Sequence, residues 1–136
     1  IRGSATANAA LLTGGNAYNI TKAGINQVSF TDVQTVDAAL ADIDVLGGIL
    51  SVEAGTAGLG DPSRSIRVGS AGSLQLWALN LPLNKPILLT NGAQLINGSG
   101  NSYLLAPVTA GRVEATAEIV STPISVAPLE YELLLG

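Results

Sequence analysis

IRVGSAGSLQLWALNLPLNKPILLTNGAQLINGSGNSYLL, residues Ile66–Leu105, decides the fold class. Ile66 and Val68 open a strand. Leu74 and Leu76, then Leu79, Leu81 and Leu83, alternate with other residues, and a phase change at Trp77 marks a bulge. Pro82 confines its segment to an edge or a strand end, because proline has no N–H to give to a central ladder. Ile87-Leu88-Leu89 reads as a buried strand, stopped by the tight-turn dipeptide Asn91-Gly92 in the manner of a hairpin. Leu95-Ile96 and Tyr103-Leu104-Leu105 flank a second turn, Asn97-Gly98-Ser99-Gly100-Asn101.

The same region is nearly free of charge. From Val68 to Gly111 the only charged side chain is Lys85, where a soluble domain carries roughly 25% charged residues. Its polarity comes from neutral groups such as Ser73, Gln75, Asn80, Asn84, Asn91, Gln94 and Asn101. Burying an amide costs much less than burying a charge, so this surface suits contact with other subunits. A thermally robust monomer with a Ser/Asn surface is the competing reading.

Towards the C-terminus, Arg112–Val120 is an amphipathic strand: Val113, Ala115, Ala117 and Ile119 face one way, Arg112, Glu114, Thr116 and Glu118 the other. Pro123 and Pro128 bracket Ile124 and Val126, and Leu129, Tyr131, Leu133 and Leu135 repeat the alternation. Towards the N-terminus, Ile49, Leu50 and Val52 form a short strand before a Gly-rich loop, Gly55–Pro62. Before it, Thr31-Asp32-Val33-Gln34 has capping-box spacing, and Val33, Val36, Leu40 and Ile43, continued by Leu46, make a helical stripe. The spacing predicts a helix over residues 31–46, with Asp32 and Asp37 near its positive end and Gly47-Gly48 as its stop. Tyr18, Ile20, Ile25, Val28 and Phe30 suggest one or two short strands around Ala23-Gly24. Residues 1–24, rich in Ala, Gly, Asn and Thr, read as an extended arm ordered only against something else.

The expected fold is therefore mainly β: a small sandwich or barrel over residues 25–136, with one short helix at 31–46 and an extended N-terminal arm at 1–24. No internal repeat of fixed period is visible in the sequence. The 136 residues suit one domain.

Composition narrows function. With no histidine, cysteine or methionine, the chain lacks the usual general base, the thiol nucleophile and the commonest transition-metal ligands. A net charge of −4 and six scattered basic residues disfavour nucleic acid as a partner. No apolar run approaches the length that spans a membrane. The chain opens at Ile1 with neither an initiator methionine nor a signal peptide, as a processed product or part of a longer chain would.

The acidic cluster Asp32, Asp37, Asp42 and Asp44 reads as a solvated helix face, since Asp42 and Asp44 lie about 200° apart on a helix and could not share one ion. Gly55-Thr56-Ala57-Gly58-Leu59-Gly60 lacks the ending of a phosphate loop and reads as a surface loop. Asn19-Ile20-Thr21 and Asn97-Gly98-Ser99 match a glycosylation pattern that chance supplies in such a chain. Trp77, among leucines, is expected in the core, with an interface anchor and a sugar-stacking platform as the other roles of an isolated tryptophan. No catalytic, cofactor-binding or metal-ligating residue is expected.

The segment Phe30–Asp44, FTDVQTVDAALADID, resembles the short acidic helix of many bacteriophage fibre and virion proteins. The His- and Cys-free composition is similar to that of phage capsid decoration proteins. The resemblance implies a non-enzymatic virion protein assembled in the host cytoplasm. Its leading form is a capsid decoration or cement subunit, a homotrimer clamping a major capsid or other virion protein. Val33, Val36, Leu40, Ile43, Trp77, Leu79 and Leu81 are then the expected assembly interface. The alternative is a fibre or adhesin module that binds a host-surface receptor, with glycan as one candidate, through loops Gly55–Pro62 and Asn97–Asn101.

Overall fold

Ile20, Ile43, Ile66, Ile87 and Val108 stand side by side in five neighbouring strands of one sheet. Their positions advance along the chain in nearly equal steps, so each strand pairs with the chain one circuit later. All strand pairs of the described residues run parallel, as a chain that winds in coils requires. This computed structural model is a β-solenoid, and it describes residues 1–3, 7–56, 58–110, 118–120 and 124–126, the last two segments by their backbone.

Three sides make one coil. The first is built from β2 (Ile20–Lys22), the opening halves of β5 (Ile43–Glu53) and β6 (Ile66–Trp77), β7 (Ile87–Leu89) and β10 (Val108–Ala110). The second uses β3 (Gln27–Phe30), the closing halves of β5 and β6, β8 (Gln94–Ser99) and β11 (Glu118–Val120). On the third, β1 (Ala9–Leu11) pairs with β4 (Val33–Val36), Leu83 bridges to Leu104, and β9 (Ser102–Leu104) pairs with β12 (Ile124–Val126).

Alternation in each strand sends every second side chain inward. The resulting rows, such as Val45–Val68–Leu89–Ala110 and Leu50–Leu74–Leu95, are buried and continuous from coil to coil. Burial of each large aliphatic side chain contributes about 1.5–3 kcal/mol. In the first coil the inward Val28 remains 40% exposed, whereas Lys22, the ladder partner of Val45, is 5% exposed.

The corners explain the glycines. Between the second and third sides the chain turns on Asp32, Gly55, Ala78 and Gly100, with φ of 50°, 76°, 47° and 62°. These four positions recur at the same step as the coils. A left-handed residue at that corner is a recurrent requirement, met twice by glycine and twice under steric cost.

Lys85 supplies a second kind of corner device. It is 1% exposed, and its Nζ donates to the carbonyl oxygens of Ala41 and Asp61, each at 2.7 Å, and of Leu40 at 3.4 Å. Those carbonyls belong to the two preceding coils, so one ammonium ties three coils. Lys22 Nζ likewise donates to the Ala23, Gly24 and Gly47 carbonyls at 2.8–2.9 Å.

Several expectations are corrected. The fold is neither sandwich nor barrel, and a winding period is present, but it lives in the ladder register and in corner residues, not in repeated sequence. No helix occurs at 31–46. Val33–Val36 is strand β4, Asp37 starts a turn in which Leu40 N–H donates to its carbonyl, and Ile43 begins β5. Aliphatics three and four apart arise here because a four-residue strand and a tight turn bring Val33, Leu40 and Ile43 to the same interior. Gly47-Gly48 bends β5 between two sides. Residues 1–24, expected as an extended arm ordered only against something else, contribute a bridge at Arg2 and strands β1 and β2 to the chain's own coils. Asn91-Gly92 turns a corner between parallel strands, with no hairpin. Residues 112–117 of the amphipathic strand and the tail beyond 126 lie outside the described residues.

Candidate binding face

The outward side chains of the second side form three rows. Gln27, Ile49, Ser73 and Gln94 make the first, Ser29, Ser51, Gln75 and Ile96 the second, and Glu53, Trp77 and Ser99 part of the third. Neighbouring coils hydrogen-bond within these rows: Ser73 Oγ lies 3.2 Å from Gln94 Oε1, and Gln75 Nε2 donates to Ser51 Oγ at 3.2 Å. Thr31 Oγ1 donates to Glu53 Oε2 at 2.7 Å. Burial would raise the Glu53 pKa, but the hydroxyls of Thr31, Ser29 and Ser51, with Arg2, outweigh it and hold the carboxyl below its ordinary 4.5. Glu53 is therefore an anionic acceptor, with Arg2 as its charged neighbour, at the edge of the uncharged rows.

Trp77 ends this face, 46% exposed. Its seat is built by Gly98 of the next coil. The ladder from β6 to β8 shifts register between Leu76 and Trp77, so Asn97 and Ser99 pair while Gly98 is skipped. A Cβ at Gly98 would stand 2.7 Å from Trp77 Cε3 and 3.1 Å from the Gln75 amide carbon. The missing side chain is the space into which the indole and the Gln75 amide lean. Below it the turn is locked: Asn97, 2% exposed, donates to the Gly100 carbonyl at 2.7 Å and accepts from Ser102 Oγ at 2.9 Å. Asn97 is buried and engaged, unlike an accessible glycosylation acceptor.

Electrostatics separate the two halves of the molecule. At the first side two members of the acidic cluster, Asp42 and Asp44, are neutralised across coils: Arg64 Nη2 lies 2.7 Å from Asp42 Oδ2, and Arg67 grips Asp44 through two bonds of 2.6 and 2.9 Å. Backbone N–H of Ser65 holds the Asp42 pKa down, with Arg67 and Arg64 adding to it against burial. Asp37 instead caps turns, accepting from the N–H groups of Ala39, Gly15 and Thr13. No metal-holding group of carboxylates is found among the described residues. From Val68 to Ala110, by contrast, the sole charge is the interior Lys85, so the outer surface of that stretch bears none.

The expected assembly residues divide. Val33, Leu40, Ile43 and Leu79 are in the core and Val36 is half-buried, which removes the stripe as a contact surface. Trp77 and Leu81 are exposed, at 46% and 41%. The expectation of Trp77 in the core is thus overturned. The signal that could have placed it outside was its parity: inward Leu74 and Leu76 leave Trp77 outward. Tyr103, 44% exposed, begins the third side just after the Gly98–Asn101 turn. Among the described residues no helix is long and apolar enough to cross a membrane.

The chain matches no protein-family model, no curated protein sequence and no solved structure.

Proposed function

We propose that this chain is a non-enzymatic β-solenoid module of a virion-type fibre or adhesin that holds an uncharged outer face against a cell-surface receptor. The supporting observation is that the exterior from Val68 to Ala110 carries no formal charge, because Lys85 is turned inward. Such a face is inexpensive to desolvate, and its attraction for a partner does not depend on ion pairing. Parallel ladders on each coil keep it flat and fixed, so little conformational entropy is lost when a ligand binds. The capsid-decoration form is less well supported. Of its expected interface, Val33, Leu40, Ile43 and Leu79 are interior and pack within the chain, not around a three-fold axis, which leaves Trp77 and Leu81 exposed.

Attachment of fluorescently labelled chain to a panel of intact bacterial strains, and to emptied phage shells, tests the proposal. Saturable attachment to cells of at least one strain, unchanged between low and high salt, is expected. Attachment to shells alone, or to neither, overturns it.

A further inference from the structure

Of the exposed apolar side chains, Trp77 stands apart because the neighbouring coil makes room for it. Ile25, Leu12 and Leu46 protrude at corners or loops, and in the open groove lined by Leu11, Leu12, Tyr18, Ile20 and Leu40 together with Thr13 and Asn19 no side chain is charged and the Asn19 Oδ1 already accepts from Asp42 N–H. At Trp77 three features coincide: an indole leaning into the space left by Gly98, the Gln75 amide at that same space, and the Glu53 carboxylate one coil below in the ladder. We propose that Trp77, Gln75 and Glu53 form a subsite for a neutral pyranose unit of a surface glycan. The inference rests on the receptor-binding reading above and names its ligand class.

The chemistry follows from the three groups. A pyranose ring has one face dominated by C–H groups, which gains dispersion and desolvation energy against an aromatic ring. Its hydroxyls need partners once water leaves. An ionised carboxylate is the stronger acceptor for them, and an amide both donates and accepts. Glu53 already spends much of its capacity on Thr31 and the neighbouring Ser29 and Ser51 hydroxyls, which fixes its orientation and leaves a remaining lone pair for a sugar hydroxyl. Gln75 is similarly anchored through its Nε2 on Ser51, leaving its oxygen to face a ligand. The charge pattern selects the sugar: the carboxylate beside the platform offsets its neighbour Arg2, and with no exposed cation on the outer surface from Val68 to Ala110 the site favours a neutral sugar over an acidic one.

The single tryptophan reports its own occupancy. The whole chain is titrated with maltohexaose, cellohexaose and galactohexaose, with hexagalacturonate as the acidic counterpart, while Trp77 emission and solution mass are followed. At least one neutral hexasaccharide is expected to shift the emission saturably, without a change in mass and with at least ten-fold preference over hexagalacturonate. Trp77→Phe should bind within a few-fold of the parent when followed by calorimetry, and Trp77→Ala at least ten-fold more weakly. Gly98→Val keeps the indole but displaces it, and should weaken binding by a similar factor while the far-ultraviolet circular dichroism stays unchanged. Gln75→Ala, on the surface and outside the core, gives a variant whose folding is not in question and should bind several-fold more weakly. No response to any neutral sugar at millimolar concentration overturns the subsite, as does equal binding by Trp77→Ala, tighter binding of hexagalacturonate, or a doubling of mass showing a second copy on the face. If cells still bind the labelled chain in those cases, the receptor reading stands and only the ligand assignment falls.

Discussion

Replacing Lys85 by methionine tests the claim that one ammonium holds three coils together. The stem keeps its length and apolar contacts, while the carbonyls of Ala41 and Asp61 lose charged donors at 2.7 Å and that of Leu40 loses one at 3.4 Å. Hydrogen bonds to a charged group contribute about 1.5–3 kcal/mol each. The two short ones therefore stand for about 3–6 kcal/mol, and the long one adds little. Relief of ammonium burial works against this loss, leaving a net destabilisation of about 2–5 kcal/mol. Urea unfolding followed by Trp77 fluorescence reads the difference directly. Burial is the main cause holding the Lys85 pKa below its ordinary 10.5, opposed by the Asp61 and Asp42 carboxylates. A lysine whose folded pKa is depressed is protonated more readily when unfolded. Its linkage term therefore gains in stability as pH rises from the folded pKa towards 10.5, and Lys85→Met lacks that slope. A loss under about 1 kcal/mol at neutral pH, or identical alkaline pH profiles for the two proteins, would refute the reasoning.

Other outcomes are expected of the same fold. Ala78→Gly relieves a left-handed alanine at φ 47° and should raise stability by about 0.5–1 kcal/mol in urea unfolding, whereas Gly55→Ala, whose Cβ would run into the Asp32 carboxylate, should lower it by about 1–3 kcal/mol. Leu74→Ala in the fully buried second-side row should cost about 2–5 kcal/mol by the same assay. Asp37, Asp42, Asp61 and Glu53 all have carboxyl pKa values held below their ordinary 3.8 or 4.5. Carboxylates with depressed folded pKa values stabilise above the unfolded values and lose that effect as pH falls through the folded ones. Thermal midpoints should accordingly be flat near neutrality and fall below about pH 4, less steeply in Asp42→Asn.

The strands after Gly48 were legible because period-two alternation survives wherever one face of a sheet is buried, as at Leu74 and Leu76 or Leu95. What pairs with what was not. A tight turn such as Asn91-Gly92 has the same composition whether it reverses the chain or bends it through a corner, and only the partner strand distinguishes them. The coil period is hidden for a related reason. A solenoid interior asks for aliphatic character, not identity, so Ile20, Ile43, Ile66, Ile87 and Val108 repeat a property at slightly unequal steps. The left-handed corner was hidden because Asp32 and Ala78 occupy it beside Gly55 and Gly100. At the candidate site, Trp77 could be singled out from the sequence, but its partners could not. Glu53, Gln75 and Gly98 come together around the indole only through the register of the ladder.

The near-constant step of the ladder bears on how such a chain comes to be folded as it is synthesised. Ile43 finds its partner at Ile66, and Ile66 finds its own at Ile87, whatever the total length. Closing each circuit thus carries a similar entropic cost, which does not grow as the chain lengthens. Each coil also rests chiefly on the one before it. A growing chain can therefore lay down one circuit at a time behind the ribosome, with each finished coil serving as the template for the next. The exposed ladder at the growing end is short-lived, since the next circuit of chain covers it.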